Sequence, residues 1–429
     1  MAASYTRRGM NAEATFSLYV RDLDPHRGFL VAAGLEPCLD FLESFSFTQE
    51  DLEWLAGQGF DDQALATFQG LRFTGDVWAV PEGRIVHAAE PILEVTAPIA
   101  EAQLAETFLL NQITLHVTIA SKAARYRIAA GGTDLVDFAF RRTHGTDAAM
   151  AVARDSALVG FIATSNVEAA RLLGIPATGT MAHSYVEAFD SEAEAFRAFA
   201  EDFPMRATFL VDTYDTLNGV RAAIETIRRL DISRGLGVRL DSGDLDALSR
   251  EARRLLDDAG LNSVRIFASG GLSDLLVESL VRAEAPIDAF GIGTQMGVSA
   301  DAPFVDVVYK LVRYGDRPVL KLSPEKATAP GDKQVFRSAS REVLGLRGED
   351  LPGEPLLGQV MEKGRRVAPP DSLATMRDRF ERDIAALPGG ARRLVDPEPL
   401  SVERSAALRA LTEEARADAV RRSGASSVA

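Results

Sequence analysis

The chain has 429 residues, of which 46% are hydrophobic and 25% charged, a composition typical of a folded protein large enough for two or more domains. Its net charge of 47 − 62 = −15 argues against a general nucleic-acid binder. The single cysteine, Cys38, excludes an internal disulfide and a thiolate metal cluster and indicates the reducing cytoplasm. No apolar run of about 18 residues lacks a charge, so we expect no membrane span.

Residues 1–122 are predicted to form a mixed α+β sheet domain. Phe16–Val20 alternates as a strand does, and Pro37–Phe45 has helical spacing. Thr48–Gly57 is a second helical segment, and its first residue is a candidate N-cap. Short β-branched runs between Val77 and Val95, interrupted by proline and glycine, indicate further strands.

Residues 123–304 alternate between short apolar runs and helical segments. The predicted strands are Leu135–Phe140, Gly160–Thr164, Ile175–Thr178, Ala207–Val211, Gly237–Leu240, Val264–Ala268 and Ala289–Ile292. The predicted helices include Ser191–Glu201, Thr216–Leu230, Ala247–Ala259 and Ser273–Ala283. This alternation indicates parallel βαβ units and favours a β/α barrel over an open sheet.

Residues 305–429 lose the alternation. Val305–Tyr314, Pro318–Leu322 and Val335–Ser338 have the pattern of strands, and we expect this segment to return to the sheet of the first domain. The small polar residues Arg421–Ala429 are expected to fray.

Polar residues follow all seven predicted strands of the barrel, where the chemistry of such folds lies. They are Arg141, Arg142, Thr164, Ser165, Asn166, Thr180, His183, Asp212, Arg239, Asp241, Ser242, Gly243, Asp244, Ser269, Gly270, Gly271, Gly293 and Thr294. A helix cap explains any one of them, but it does not easily explain seven consecutive strand ends.

Two of these strand ends, Ser269–Asp274 and Gly291–Thr294, have glycine turns that lead toward a helix and suit phosphate binding through backbone N–H groups. A tight connecting turn explains each of them equally well. Because Arg141 and Arg239 are expected at the same mouth, we predict a ligand with phosphates at both ends.

Arg239 and Asp241 are two residues apart on a strand and therefore point to one face. Arg239 is suited to a carboxylate or phosphate, and Asp241 to sugar hydroxyls or to water-held Mg²⁺, although a structural Arg–Asp pair explains the motif as well. His183 follows a strand and is a candidate nucleophile. The other histidines, His26, His87, His116 and His144, lack such a setting and are expected to be structural.

Ten short blocks of this sequence, taken in chain order, resemble those of nicotinate phosphoribosyltransferases of the type II fold. The matching blocks are Ala14–Arg21, Arg27–Leu35, Asp137–Arg142, Gly160–Asn166, Gly179–Ser184, Gly237–Asp244, Ala268–Leu272, Gly291–Thr294, Val308–Leu311 and Lys326–Val335. The resemblance implies an α/β fold in which an irregular β/α barrel of the type II phosphoribosyltransferase kind packs on the N-terminal α+β sheet domain. It also implies a cytoplasmic, homodimeric enzyme of NAD salvage with sites at the dimer interface.

The reaction implied by the resemblance joins nicotinate to 5-phosphoribosyl 1-diphosphate with ATP hydrolysis, with Mg²⁺ as cofactor. The implied catalytic residues are His183, which ATP would phosphorylate, Arg239 and Asp241. Thr180 and Arg239 would contact the nicotinate carboxylate, Phe138 would stack on its ring, and Asp241 would contact ribose or Mg²⁺. The implied phosphate contacts are Arg141, Gly270, Gly271, Gly293 and Thr294, and the further substrate-binding positions are Thr164, Ser165, Ser242 and Gly243.

The start of the chain departs from the family pattern, which opens with an acidic-x-Tyr-x-Leu-Thr-Met segment whose tyrosine stacks on nicotinate. Met1 aligns with the end of that segment, and Tyr5 is not that tyrosine. Either the start codon lies further upstream or this aromatic cover is absent, and translation of the upstream DNA distinguishes the two.

Two other functions remain open at this point. One is a type II phosphoribosyltransferase that acts on nicotinamide or quinolinate, which a comparison of product formation from each acceptor would detect. The other is a relative that binds phosphate ligands without catalysis, which would leave His183 unlabelled by labelled ATP.

Overall fold

The computed structural model describes residues 1–232, 234–323, 328–338 and 341–423. The chain divides into two compact units: unit 1 contains Met1–Thr118 and the chain from Phe304 onward, and unit 2 contains Ile119–Pro303. Lys326 of the predicted Lys326–Val335 block and the end of the predicted frayed tail lie outside the described residues. The division into segments 1–122, 123–304 and 305–429 stays a prediction.

The helices are α1 (Ala2–Arg7), α2 (Leu35–Ser44), α3 (Gln49–Gly57), α4 (Asp62–Gly70), α5 (Ile99–Ala130), α6 (Thr146–Leu158), α7 (Val167–Leu173), α8 (His183–Glu187), α9 (Glu192–Asp202), α10 (Thr216–Leu230), α11 (Leu245–Asp258), α12 (Asp274–Arg282), α13 (Thr294–Gly297), α14 (Leu373–Ala386) and α15 (Ala406–Ser423). The strands are β1 (Glu13–Val20), β2 (Leu30–Val31), β3 (Asp76–Ala79), β4 (Ile85–Val86), β5 (Pro91–Pro98), β6 (Asp134–Asp137), β7 (Ala163–Thr164), β8 (Thr208–Leu210), β9 (Gly237–Leu240), β10 (Arg265–Ala268), β11 (Ala289–Ile292), β12 (Val307–Tyr314), β13 (Arg317–Pro318), β14 (Lys333–Ser338), β15 (Arg341–Leu346), β16 (Glu354–Pro355), β17 (Gly358–Glu362), β18 (Arg365–Arg366) and β19 (Val402–Arg404).

Local signals place several helices where the sequence predicts them. Thr48 caps α3: its Oγ1 accepts a hydrogen bond from the Asp51 amide at 3.1 Å, and the Asp51 carboxylate accepts one from the Thr48 amide at 2.7 Å. Ser191, Asp215 and Ser273 cap α9, α10 and α12, each through a side-chain oxygen that accepts a hydrogen bond from a backbone amide. The predicted helices at these positions are confirmed.

Helix α5 was not predicted. No proline or glycine interrupts it, and Pro98 precedes it while Gly131, with φ +56°, follows it, so its limits agree with the usual start and stop signals. Its buried residues lie on every side of the helix between His116 and Tyr126, where consecutive residues such as Thr118, Ile119 and Ala120 are all buried. The helix therefore lacks the single apolar stripe on which a sequence-based prediction relies.

Unit 1 is built on a seven-stranded antiparallel sheet in the order β13-β12-β1-β5-β3-β17-β18. Strand β12 pairs along β1 from Ala14–Tyr314 to Val20–Val307, so the chain after Phe304 completes the sheet begun by the first residues. The ring of Phe16 stacks on that of Tyr309, with centroids 4.7 Å apart. Smaller sheets in the same unit have the orders β16-β14-β15-β19 and β2-β4.

Unit 2 is built on a six-stranded parallel sheet in the order β7-β6-β11-β10-β9-β8. It forms a parallel half-barrel, which confirms the predicted βαβ arrangement. Four predicted strands are clearly shorter than expected. Leu135–Phe140 ends at Asp137 and continues into a 3₁₀ turn, and Ile175–Thr178 makes a single bridge, from Ala177 to Thr164. Gly160–Thr164 is reduced to Ala163–Thr164, and Ala207–Val211 to Thr208–Leu210. Because the strands are parallel, their carboxyl ends lie at one edge.

Among the described residues, no helix has both the length and the apolar character needed to cross a lipid bilayer.

Gly219 in the first turn of α10 allows this helix to approach the end of β8 closely. A Cβ at this position would lie 2.1 Å from the carbonyl oxygen of Val211, which is the residue before Asp212. The contact is with backbone, which cannot rotate away. The position of the β8 end therefore depends on the absence of a side chain here.

We expect Gly219→Ala to lower the free energy of unfolding by about 1–3 kcal/mol, because the added methyl group overpacks the helix against the strand. Urea unfolding followed by circular dichroism measures this change. Gly132→Ala is the matched control in the same unit, since its Cβ would meet nothing within 4 Å. Equal stabilities of the two variants would contradict the packing argument.

Candidate active site

A cavity of about 660 Å³ opens at the carboxyl edge of the unit 2 sheet, which is a volume suited to small-molecule substrates. Residues that follow β6, β7, β9, β10 and β11 line it, together with the segment that leads into α8. The predicted site residues that the structure brings together here are Phe138, Arg141, Ser165, Thr180, His183, Arg239, Asp241, Gly270, Gly271, Gly293 and Thr294.

Three predicted substrate-binding residues do not line the cavity. Thr164 is 1% exposed, and its hydroxyl donates to the buried Asp137 carboxylate at 2.7 Å. Ser242 instead donates its hydroxyl to Asp212 at 2.7 Å. Gly243, with φ +84°, forms the turn that precedes Asp244, the N-cap of α11. These contacts support neighbouring residues and the helix start, and the assignment of the three residues to substrate stays a prediction.

Arg239 and Asp241 share one face of β9, as their spacing predicts. The Arg239 guanidinium donates to Asp241 Oδ1 at 2.9 Å and also to the hydroxyl of Thr180. Its Nε is buried and makes no hydrogen bond within the described part of the chain. The Nε–H group of Arg239 is therefore a hydrogen-bond donor without an acceptor among the described residues, in a part of the cavity lining that also contains Thr180 and Asp241.

The carboxylate of Asp241 is held in its charged form. Burial by itself would raise the pKa of Asp241, but the hydrogen bond from Ser269, at 2.5 Å, and the charge of Arg239 outweigh it and leave the pKa below its ordinary value. Asp241 is therefore ionised throughout the neutral range and serves as an acceptor and a negative charge.

His183 begins α8 beside this cluster, and 41% of its side chain is exposed. Its Nδ1 lies 3.2 Å from the hydroxyl of Thr213, and its Nε2 lies 3.7 Å from Asp241 Oδ2. The imidazole is thus accessible from the cavity, and a polar neighbour near each ring nitrogen orients the ring. Such an arrangement suits a nucleophile.

Asp212 connects the end of β8 to the same cluster. Its Oδ2 accepts a hydrogen bond from the Asp241 amide at 3.0 Å and one from the Ser242 hydroxyl at 2.7 Å. Asp212 is one of the predicted strand-end residues, but its position in the sequence indicates no role. Its hydrogen-bond partners come from another strand end, and that pairing is not visible in a sequence.

The two glycine turns lie in the cavity wall. Gly270 has φ +87°, and a Cβ there would lie 1.7 Å from the carbonyl oxygen of Asp241. At Gly291, a Cβ would lie 2.8 Å from the ring of Phe138, so the missing side chain leaves room for that ring. Close packing thus accounts for these two glycines, while the backbone of the Gly270–Gly271 turn stays at the cavity surface.

Ten further lining residues carried no predicted role. They are Phe140, Arg142, Gly179, Met181, Ala182, Ser184, Ser269, Leu272, Gly291 and Gln295. Phe140 was predicted to end a strand, but it lies in a 3₁₀ turn that brings it to the cavity. Ser269 and Arg142 follow predicted strands, and this strand-end position was the signal that could have identified them as lining residues.

Glu192 has an unusually high pKa for a carboxyl group, raised to about 7 by burial and by the charges of Asp212 and Asp215. Its Oε1 is buried and makes no hydrogen bond to the residues that the structure describes. Ionisation of Glu192 therefore places another negative charge beside Asp212, the residue that accepts a hydrogen bond from the Asp241 amide.

We expect Glu192→Gln to change the pH dependence of stability. A carboxyl whose pKa is higher in the folded than in the unfolded state loses stability as the pH rises from the unfolded value toward 7. The variant should therefore melt at a higher temperature than the parent at pH 8, and this advantage should shrink at pH 5. Glu194→Gln, at an exposed position on the same helix, is the control. If the difference in melting temperature between the Glu192 variant and the parent were the same at pH 5 and pH 8, this account would be contradicted.

Models of three protein families match the chain. The nicotinate phosphoribosyltransferase (NAPRTase) N-terminal domain matches residues 1–114, the NAPRTase family matches residues 133–346, and the nicotinate phosphoribosyltransferase C-terminal domain matches residues 319–412.

Known proteins show the same relationship over most of the chain. Nicotinate phosphoribosyltransferase pncB2 of Mycobacterium tuberculosis is 50% identical over 92% of this chain and 87% of its own length, and a nicotinate phosphoribosyltransferase of Bacillus subtilis is 41% identical over 79% and 71%. The crystal structure of human nicotinic acid phosphoribosyltransferase matches with a TM-score of 0.86 and 28% identity, covering 96% of this chain and 98% of that one. The predicted fold class is confirmed. The chain therefore belongs to the nicotinate phosphoribosyltransferase family.

Proposed function

We propose that this enzyme joins nicotinate to 5-phosphoribosyl 1-diphosphate, forming nicotinate mononucleotide and diphosphate with coupled ATP hydrolysis, in NAD salvage. The observation that carries the proposal is the convergence of His183, Arg239 and Asp241 in one cavity whose wall also contains two glycine turns. Membership of the family supports the choice of substrates.

The nicotinate carboxylate is assigned to Arg239 and Thr180. The Thr180 hydroxyl and the Arg239 guanidinium already contact each other, and the buried Nε of Arg239 has a hydrogen bond left to donate. A guanidinium suits a carboxylate because both groups are planar and can form two parallel hydrogen bonds. Phe138, which lines the same cavity, supplies an aromatic face for the pyridine ring.

The phosphates are assigned to other groups of the same lining. Arg141 supplies a cationic side chain, and the turns at Gly270–Gly271 and Gly293–Thr294 supply backbone N–H groups. Ser165 lies at the same surface and is assigned to the substrate as well. Positive charge and N–H donors are the groups that bind a phosphate or a departing diphosphate.

Mg²⁺ is proposed to enter with the diphosphate. The described residues contain no group of three or more His, Cys, Asp or Glu side chains that could hold a metal ion. Asp241 is the one acidic side chain among the described lining residues. A single carboxylate suits contact with Mg²⁺ through water, or with the ribose hydroxyls, but cannot surround the ion by itself. When bound, Mg²⁺ would neutralise charge on the diphosphate.

The proposed transfer forms a bond between the pyridine nitrogen and ribose C1 and breaks the bond from C1 to the diphosphate oxygen, which leaves with its electron pair. The pyridine nitrogen carries a lone pair, so no general base is needed. The protein must hold the two reactants in contact and stabilise the leaving diphosphate. This requirement agrees with the cations and donors of the lining, whose described residues include a single carboxylate.

His183 is proposed to accept the terminal phosphoryl group of ATP, releasing ADP, and to pass it to water later in the cycle. Its exposure of 41% and its position in the lining make the imidazole reachable by a bound nucleotide. Phosphorylation adds negative charge close to Asp241, which gives ATP a means of changing the charge balance of the site.

We also propose a cytoplasmic homodimer with its sites at the subunit interface, as the family resemblance implies. Sedimentation velocity on the purified chain tests the dimer. The single cysteine, Cys38, is buried and free, which is consistent with a reducing compartment.

We expect His183→Ala to abolish ATP coupling while it retains some ATP-independent transfer, because the pyridine nucleophile does not need the imidazole. Nicotinate mononucleotide and ADP are measured together, with and without ATP. His144→Ala, at an exposed position outside the cavity lining, is the control. Undiminished ADP release per product in the His183 variant would refute its assignment.

We expect Arg239→Lys to raise the KM for nicotinate at least tenfold and the KM for ATP much less, because lysine cannot form the paired hydrogen bonds of a guanidinium. Steady-state kinetics with each substrate varied in turn measures both constants. An exposed arginine of the same unit, changed in Arg221→Lys, serves as the control. Equal increases in the two KM values would count against a carboxylate contact.

A further inference from the structure

Three neighbouring side chains of α5 belong to unit 2 but lie outside the described lining of the candidate active site. They are Lys122, Arg125 and Tyr126, whose spacings of three and four residues place them on one face of the helix. All three are buried, with exposures of 1%, 5% and 0%. The proposed reaction assigns them no role.

Two carboxylates from separate parts of unit 2 meet these cations. Asp274 Oδ2 lies 2.6 Å from Arg125 Nε and 3.1 Å from Lys122 Nζ. Asp301 Oδ1 lies 2.9 Å from Lys122 Nζ, and its Oδ2 lies 3.4 Å from Arg125 Nε. Each cation therefore contacts both carboxylates, and the four side chains form one cluster in which two positive charges balance two negative charges.

The Asp274 carboxylate is ionised in this cluster. Burial by itself would raise the pKa of Asp274, but the charges of Lys122 and Arg125 outweigh it and leave the pKa below its ordinary value. Ion pairs of this kind add little net stability, because the loss of hydration offsets their attraction. They do fix the chain segments that carry them, since a buried charge is costly to separate from its partner.

One side of the cluster is connected to the first glycine turn, Gly270–Gly271. Asp274 is the first residue of α12 and follows Gly271 by three residues. Between the two, the carbonyl of Leu272 accepts a hydrogen bond from the hydroxyl of Tyr126 at 2.9 Å. Leu272 itself lines the cavity. The side chains of α5 therefore hold the chain directly after this turn.

The other side of the cluster is connected to the second glycine turn, Gly293–Thr294. Thr294 begins the short helix α13, and Asp301 follows the end of that helix by four residues. The Ala300 amide donates to the carbonyl of Gln295 at 3.0 Å, so the chain directly before Asp301 is bonded back to the helix. A contact that fixes Asp301 therefore also restrains the second turn.

We propose that Lys122, Arg125 and Tyr126 are positioning residues that set the distance between the two glycine turns, and so match the turns to the two phosphate-bearing ends of 5-phosphoribosyl 1-diphosphate. The inference rests on the proposed function, in which both turns bind phosphate. Because α5 is one uninterrupted helix, its neighbouring side chains give the two turns a common support.

A fixed distance matters because this substrate has to reach both turns at once. When one end of a ligand is bound, the other end binds at a high effective concentration, provided that the distance between the sites matches the ligand. A change in that distance therefore weakens the binding of the two-ended substrate more than the binding of a ligand that carries only one of the ends.

Tyr126→Phe tests the support of the first turn, because it removes only the hydroxyl that binds the Leu272 carbonyl. Isothermal titration calorimetry on the full chain with Mg²⁺ measures the Kd values of 5-phosphoribosyl 1-diphosphate, ribose 5-phosphate and inorganic diphosphate. We expect the first Kd to rise at least fivefold and the other two less than twofold. In steady-state kinetics, the KM for 5-phosphoribosyl 1-diphosphate should rise in parallel, while the KM for nicotinate changes less than twofold.

Asp301→Asn tests the support of the second turn, because it removes the charge that binds Lys122 and keeps the size of the side chain. We expect the same selective loss of affinity for the two-ended substrate. This variant leaves the contacts of Asp274 and Tyr126 in place, so the proposal stays testable if Tyr126→Phe folds poorly.

Two matched controls lie in unit 1. Tyr309→Phe removes a buried hydroxyl that donates to the carbonyl of Ala102 at 2.9 Å, which is the same kind of bond as that of Tyr126. Asp332→Asn removes a carboxylate paired with Arg313 at 2.9 Å and of similar exposure to Asp301, 29% against 24%. Both controls should lower the melting temperature about as much as the test variants and change each Kd less than twofold.

Two results would overturn the inference. One is an unchanged Kd of 5-phosphoribosyl 1-diphosphate in both test variants, and the other is an equal rise for this substrate and for the two one-ended ligands. A parent chain that binds 5-phosphoribosyl 1-diphosphate but forms no nicotinate mononucleotide would defeat the proposed function alone, because the binding measurements need no turnover.

Discussion

The hydrogen bonds around Asp241 join three strand ends of unit 2, and the geometry of the candidate active site depends on them. Its Oδ1 accepts from Arg239 on the same strand and from Ser269 after β10, and its amide donates to Asp212 after β8. These contacts are possible because β8, β9 and β10 run parallel and in register, so that their carboxyl ends are level. A shift of one residue in this register would turn Arg239 and Asp241 away from the cavity.

The charge of the site opposes that of the chain. The protein as a whole carries −15, yet the described lining of the unit 2 cavity has Arg141, Arg142 and Arg239 against one carboxylate, Asp241. A concave surface concentrates such a local field, so polyphosphate substrates can bind although the net charge repels them. The overall acidity of the chain therefore gave no information about the charge of its site.

Glycine serves the site through close backbone approach. Gly219 lets α10 approach Val211, Gly270 lets its turn approach the Asp241 carbonyl, and Gly291 leaves space for Phe138. In each case a side chain would collide with a neighbouring group: the Val211 carbonyl, the Asp241 carbonyl or the Phe138 ring. The glycines that suggested phosphate turns from the sequence thus have a packing function as well, and the two accounts are compatible because Gly270 and Gly271 also line the cavity.

The sequence by itself determined the alternation of strands and helices in unit 2, the common face of Arg239 and Asp241, and the family, because these follow from periodicity and from collinear motifs. It did not determine which strand-end residues line the cavity: Thr164, Ser242 and Gly243 share the strand-end position of the lining residues but lie outside the described lining. It also missed α5, which lacks one apolar stripe, and the role of Asp212. Only the tertiary structure decided these points, because they depend on contacts between chain segments far apart in sequence, and local pattern carries no record of such contacts.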